Sequence, residues 1–186
     1  MRKQTMIAAA VVAAAMAGPA IAQGGQAYQS AEHKFSLTMP EGWTAQPLTD
    51  PSGPQVQFNA PSGNSNCNVF KVPYQPWAAY SQTQINNEIA NNIFKGEIET
   101  EMNQAGQNGR VSVNEPRSLG SVNIQYAEYE FDFTGDNGQP VRVYIQKLMS
   151  AVPGMVYNVN CAALSSDAAA IKPSFNLLMS TFTMAP

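Results

Sequence analysis

The chain has one histidine and two cysteines, and only 12% of its residues are Asp, Glu, Lys or Arg. Each scarcity excludes something. With His33 as the lone imidazole, no two-histidine metal site can form, and any Ser-His-Asp arrangement has to use that residue. His33 lies in a polar turn between Glu32 and Lys34, where a solvated role is expected. The sequence holds no H-E-x-x-H, no C-x-x-C, no G-x-S-x-G elbow and no glycine-rich phosphate loop after a strand. Asp136-Asn137-Gly138 opens like a calcium loop, but Gln139, Pro140, Val141 and Arg142 follow, so it reads as a turn. Neither catalysis nor a cofactor or metal is expected. Ten basic residues stand against thirteen acidic ones. Nucleic acids and anionic lipids want a basic face, so neither is expected as a partner.

Long apolar runs are also missing, apart from one at the start. Arg2 and Lys3 precede an apolar stretch from Met6 to Met16, too short to span a bilayer comfortably. Gly18-Pro19 breaks it, and Ala20-Ile21-Ala22 offers the small residues of a signal-peptidase site. The expectation is a Sec-type signal peptide over residues 1–22, cut between Ala22 and Gln23; a retained N-terminal anchor is the alternative. The look is bacterial, which places the protein in the periplasm or the medium. Residues 23–186 then form one domain, long enough to bury about 70% of its unfolded surface. Without Arg2 and Lys3, eight basic and thirteen acidic side chains remain, a net charge of −5. No membrane span is expected after cleavage.

An even pair of cysteines in an exported chain points to a disulfide. Cys67 shares a strand face with Val69, and Cys161 with Tyr157 and Val159, so both should point into the core. A Cys67–Cys161 bridge would close a loop of roughly 95 residues and contribute about 4–5 kcal/mol on the chain-entropy model. Two separate buried thiols are the other possibility.

What is present is mostly strand signal. Phe35-Ser36-Leu37-Thr38-Met39 alternates, Pro40 stops it, Glu41-Gly42 turns, and Trp43 returns an apolar ring to the sheet. Gln55–Phe58 and Cys67–Val72 read as further strands, separated by proline- and glycine-bearing loops. The period then changes. Pro76 suits a first helical turn, and Ile85, Ile89 and Ile93 form an i, i+4, i+8 stripe. This predicts a helix from about 76 to 94, ended by Lys95-Gly96, then a short second helix over 97–104 and a loop at 105–109. Four strands follow: 110–119, 122–134, 141–151 and 155–164. The first contains Pro116 and belongs at an edge or bend. Ser165-Ser166-Asp167 should cap a closing helix over 168–180, kinked or split by Pro173. The pattern is α+β, with helices packed on a mainly antiparallel sheet.

At this point the chain resembles the PsbP-like fold group, which includes photosynthetic extrinsic subunits and exported bacterial envelope proteins of the DcrB type. The resemblance rests on Phe35 to Trp43, the mid-chain helix, the hairpin run Tyr126 to Ile145, Tyr157 to Cys161, and the endings Ser174-Phe175 and Thr181-Phe182. It implies an α/β/α sandwich around an antiparallel sheet. It also implies a role in binding or assisting other proteins, and no functional residue carries over from it.

One constellation carries charge. Glu128, Glu130 and Asp132 share a face with Tyr126, while Gln125, Ala127, Tyr129, Phe131 and Phe133 take the other. If 132 pairs with 142, then 130 faces 144 and 128 faces 146. This groups Glu128, Glu130, Asp132, Arg142, Tyr144 and Gln146. One reading is a solvated outer face with an Asp132–Arg142 pair. The functional reading is a contact face for a partner, another envelope protein, or for a cation. Tyr74, Trp77 and Tyr80 are a second candidate, as packing against the sheet or as an exposed interface. The expected function is an exported, non-enzymatic binding or accessory protein. The alternatives are a small-ligand or lipid carrier, which needs an enclosed apolar cavity, and a hydrolase, which needs converging titratable groups.

Overall fold

A computed structural model describes residues 25–50, 52–135 and 138–185. The expected signal peptide and the Ala22–Gln23 cleavage point lie outside them, as do Asp136 and Asn137 of the expected turn.

Among the described residues, ten strands form two antiparallel sheets. The first holds β1 (Gly25–Ser30), β2 (Phe35–Pro40) and β10 (Thr183–Met184), ordered β1-β2-β10. The second comprises β3 (Thr44–Pro47), β4 (Val56–Asn59), β5 (Ser65–Pro73), β6 (Gln107–Leu119), β7 (Val122–Thr134), β8 (Pro140–Val152) and β9 (Met155–Leu164). Its order is β3-β4-β5-β9-β8-β7-β6. Three helices cover the larger sheet: α1 (Gln82–Ala90) and α2 (Lys95–Ala105) on one face, α3 (Ala168–Ser180) on the other. This is the expected α+β sandwich of helix, sheet and helix. The small sheet is an addition, sharing the α3 side.

Alternation decides the layers. On β2, Phe35, Leu37 and Met39 are buried while Ser36 and Thr38 are half-buried. Gly42 turns the chain with φ +77°, a conformation glycine adopts at no steric cost, and the Trp43 N–H donates to the Pro40 carbonyl at 3.2 Å. Trp43 then packs edge-on against Phe175 of α3. Phe182 lies beneath the small sheet, against Phe35 and Tyr157. Cys67 and Cys161 are direct partners across β5 and β9, both buried, and are joined by a disulfide.

The expected helix over 76–94 divides. Gln75–Trp77 is a single 3₁₀ turn, and α1 starts only after Ser81. The Ser81 hydroxyl accepts from the Gln84 N–H, and the Gln84 side chain accepts from the Ser81 N–H. This capping box satisfies two amide donors that a helix end leaves open, so it fixes the start. Asn92 adopts φ +61° after α1, which swings Ile93 out to 47% exposure and turns Phe94 into the core. Lys95-Gly96 therefore opens α2 instead of closing the helix before it. Only Gly106 separates α2 from β6, so the expected loop at 105–109 is mostly strand.

Strand β6 is an edge strand carrying Pro116 and two register irregularities, as its proline implied. Ser165–Asp167 form a 3₁₀ turn with no side-chain cap, and α3 runs unbroken through the exposed Pro173. Strands β3 and β10 carry too little periodicity to read from sequence.

Helices α1 and α2 lie over β6, β7 and β8. The β4–β5–β9 part of the same face presents Gln57, Asn59, Asn66, Asn68, Asn158 and Asn160, all half-buried. Gln57, Asn68 and Asn160 form one cross-strand row that ends on Lys147 of β8.

Candidate functional site: a carboxylate cluster and groove beneath α3

The β7–β8 hairpin pairs Asp132 with Arg142, Glu130 with Tyr144, and Glu128 with Gln146. This is the register the turn position predicts. The face is not a single solvated patch, however. Glu128 is 8% exposed, Tyr126 and Tyr144 are 6%, and Gln146 is fully buried. Helix α3 crosses above them. Charge alternation made the face look external, but α3 brings a countercharge that makes burial tolerable.

That countercharge is Lys172. Its Nζ lies 2.6 Å from Glu128 Oε2. The Tyr126 hydroxyl donates to Glu128 Oε1 at 2.7 Å, and the Tyr144 hydroxyl donates to Oε2 at 3.1 Å. Burial by itself would raise the Glu128 carboxyl; the hydrogen bonds from Lys172, Tyr126 and Tyr144 and the Lys172 charge outweigh it and hold the group below the usual carboxylate range. Burial pushes both phenols well above theirs, and the Glu128 charge adds to the shift. Around Tyr126 the network continues. Gln146 Nε2 donates to the Tyr126 oxygen at 2.7 Å and to Asn176 Oδ1 at 2.6 Å. The Arg117 guanidinium lies over the Tyr126 ring, its Cζ 3.7 Å from the centroid, and pairs with Glu115 at 2.9 Å.

Beside this cluster is an open groove of about 320 Å³ between α3 and the sheet. Arg117, Tyr126, Gln146 and Asn176 give it a polar end, and Leu119, Ile124 and Met179 line it with apolar surface.

The rest of the predicted face is at the hairpin end. Arg142 contacts Asp132 at 3.0 Å and Glu130 at 3.5 Å, and donates to the Asn108 carbonyl at 2.8 Å. Asn108 Nδ2 donates to Asp132 Oδ2 at 2.7 Å. Hydrogen bonds from Asn108 and Arg142 hold the Asp132 carboxyl low. Glu130, Asp132 and Arg142 stay partly exposed, so the six predicted residues divide between a buried cluster and an accessible trio.

Sequence reasoning missed a second ion pair, on the opposite face. Lys147 of β8 is fully buried and pairs with Glu101 of α2, which also accepts from the Tyr129 hydroxyl at 3.4 Å. Burial pushes the Lys147 ammonium down, and Glu101 works against that shift. The available signal was a lysine on the inward period of a strand that is otherwise apolar on that face. For the α3 cluster it was Lys172 and Asn176, spaced i, i+4 on one helix face.

The other candidates are structural. The Tyr157 hydroxyl donates to the His33 carbonyl at 3.0 Å, and the imidazole lies 3.9 Å from Glu32. His33 shares an open groove of about 500 Å³ with Asp50 and Lys71. Asp50 is engaged by the Ser52 hydroxyl and N–H, which hold its carboxyl low. Trp77 is buried between Tyr74, Tyr80 and Phe94, and Tyr74 is 39% exposed. Among the described residues, no group of three or more His, Cys, Asp or Glu could hold a metal, and no helix is long and apolar enough to cross a membrane.

No family model and no curated protein match the chain. Solved structures do. The cyanobacterial PsbP protein CyanoP of Synechocystis sp. PCC 6803 aligns over 90% of this chain and 96% of its own, with 14% identity and a TM-score of 0.58. LpqN of Mycobacterium tuberculosis, described as involved in cell envelope biogenesis, aligns over 92% and 88%, with 13% identity and a TM-score of 0.55. The Saccharomyces cerevisiae Ran-binding protein Mog1p aligns over 87% and 95%, with 8% identity and a TM-score of 0.54. At these identities the likeness is one of architecture, and that architecture is the PsbP-like fold.

Proposed function

We propose that the protein is an exported, non-enzymatic accessory protein that binds another envelope protein and works without a cofactor. Residues 1–22 act as its signal peptide, and residues 23–186 form one periplasmic or secreted domain. The observation that carries the non-enzymatic reading is the state of Glu128. It is the most buried carboxylate of the α3 cluster, it is saturated by three donors, and its pKa is held away from neutrality. A general acid or base needs a pKa near the working pH, and this cluster supplies the reverse. The partner contact is the accessible trio Glu130, Asp132 and Arg142 at the hairpin end of the α3-side face.

The test is export of the full chain in a Gram-negative host, followed by crosslinking of the periplasmic fraction. The exported form should begin at Gln23 by mass. One partner should crosslink to the native protein and be lost with the Glu130→Lys, Asp132→Lys double variant. Unchanged crosslinking in that variant removes the hairpin end, and turnover of ester, peptide or phosphoester model substrates by the purified protein removes the non-enzymatic reading. A lipid carrier would need an enclosed apolar cavity, whereas the best-formed depressions are open grooves of about 290 to about 500 Å³.

A further inference from the structure

The sequence contains two Asn-Gly pairs, Asn108-Gly109 and Asn137-Gly138. The first lies at the start of β6, where backbone and packing both favour it. Asn108 adopts φ +54°, a left-handed conformation that asparagine tolerates better than most residues. A Cβ at position 109 would meet the Met102 side chain of α2 at 3.0 Å, so glycine fits there best. The β6–β7 register passes over the pair. Gln107 faces Asp132 and Arg110 faces Glu130, which leaves Asn108 and Gly109 with no cross-strand partner in the ladder. Both residues are exposed to water.

An exposed Asn-Gly pair outside a ladder has its own chemistry. The Gly109 nitrogen and the Asn108 Cγ are linked through a short stretch of covalent structure, so their reaction is intramolecular, and glycine has no side chain to hinder the approach. The Asn108 side chain is also part of the hairpin-end charge group. Its Nδ2 donates to Asp132 Oδ2 at 2.7 Å, while its carbonyl accepts from Arg142 at 2.8 Å. Asp132 and Glu130 already face Arg142 at 3.0 Å and 3.5 Å. A carboxylate at position 108 is acceptor-only and cannot replace the lost donor.

We propose that Asn108 is a site of spontaneous deamidation, and that its conversion adds a negative charge to the Glu130–Asp132–Arg142 group. The Gly109 N–H gives its proton to water and the nitrogen attacks Asn108 Cγ. The N–Cγ bond forms, the Cγ–Nδ2 bond breaks, and Nδ2 takes a proton from water and leaves as ammonia. Water then opens the succinimide at either ring C–N bond, which restores the Gly109 N–H and leaves aspartate or isoaspartate. The net reaction consumes one water and releases one ammonia, with nothing oxidised or reduced. The product turns a carboxylate toward Asp132 where a donor stood, and Arg142 is left facing three carboxylates. The conversion needs only water, so it stands independently of the partner contact proposed above.

The test incubates the purified, disulfide-bonded protein at mildly alkaline pH and follows its asparagines by peptide mass mapping. Asn108 should gain the mass of an amide-to-acid exchange, with aspartate and isoaspartate forms resolved. It should do so at least about tenfold faster than Asn158, which is paired in the β5–β9 ladder and followed by the β-branched Val159. Asn108→Gly keeps the positive φ and should remove the fast conversion from that peptide. In Asn108→Asp, the Asp132 carboxyl loses the Asn108 hydrogen bond, the largest influence holding it low, and gains a like charge beside it. Its titration, read from the ¹³C carboxyl resonance, should move up. Conversion of Asn108 no faster than Asn158, conversion at Asn137 without conversion at Asn108, or an unmoved Asp132 titration in Asn108→Asp overturns the proposal. Loss of the hairpin-end crosslink would leave these measurements unaffected.

Discussion

Lys172, the single charged residue of α3, lies 2.6 Å from Glu128 in the middle of β7. This contact ties the closing helix to the sheet through a carboxylate that also serves two tyrosines. The two partners are unequally buried. The Glu128 side chain is 10% exposed and the Lys172 side chain 42%.

That inequality predicts unequal costs. Glu128→Ala leaves the two tyrosine hydroxyls without their acceptor and should cost about 3 kcal/mol. Lys172→Ala removes a half-exposed ammonium, leaves Glu128 its two tyrosine donors, and should cost about 1 kcal/mol. Urea unfolding midpoints at neutral pH measure both. Equal losses would contradict the buried-carboxylate account.

The same cluster sets a pH dependence. The Glu128 carboxyl is held below its unfolded value of about 4.3. As pH falls, the unfolded chain therefore takes the proton first. The contribution is complete above that unfolded value and is lost as pH falls through the lowered folded one. Tyr126 and Tyr144 are raised, so their contribution is complete below about pH 10 and is lost as pH rises beyond it. Stability measured from pH 3 to 11 should show both limbs. Glu128→Gln should flatten the acid limb relative to native, and Tyr144→Phe the alkaline one. Asp50 and Asp132 are also held low, and the comparison with native subtracts them.

Lys147 and Glu101 should behave asymmetrically. Lys147 is fully buried, whereas the Glu101 side chain is 43% exposed. Glu101→Ala strands a buried ammonium and should cost about 3 kcal/mol. The cost should shrink as pH rises toward about 10, because the folded lysine releases its proton before the unfolded one does. Lys147→Met leaves a carboxylate that water can solvate and should lose no more than about 1 kcal/mol. Denaturation of both variants at pH 7 and pH 9.5 decides it; a larger loss for Lys147→Met would reject the assignment.

The Cys67–Cys161 bridge joins residues 94 apart in sequence. On the chain-entropy model its removal should cost about 4–5 kcal/mol. The Cys67→Ala, Cys161→Ala double variant should unfold at correspondingly lower urea. Both positions are direct partners in the β5–β9 ladder, so the sheet order should survive, as judged by far-ultraviolet circular dichroism. An unchanged midpoint would mean the bridge contributes nothing measurable.

Much of the fold was legible because strand side chains alternate. Phe35, Leu37 and Met39 read as inward and are buried, and the cysteines read as inward and meet. The 132–142 register follows from where the turn falls between two long alternating strands. The helical region was less legible. A stripe of isoleucines continues past a break that one asparagine introduces, and the stripe cannot show that Ile93 swings outward while Phe94 turns in.

By itself the sequence determined which residues share a face, where the chain turns, and that the sheet is antiparallel with helices on it. It also determined the shortage of histidine and cysteine that argues against common catalytic and metal chemistry. The tertiary structure decided what lies over each face. Periodicity is a local property of the backbone, so it groups Tyr126, Glu128 and Glu130 but cannot say that α3 will cover two of them and leave the third at the rim. It cannot place Lys172 on Glu128, Glu101 on Lys147, or Arg117 on a tyrosine ring. Those pairings join segments roughly 10 to 50 residues apart in sequence, and they exist only because burying the apolar sides of the helices carries their polar residues onto the sheet.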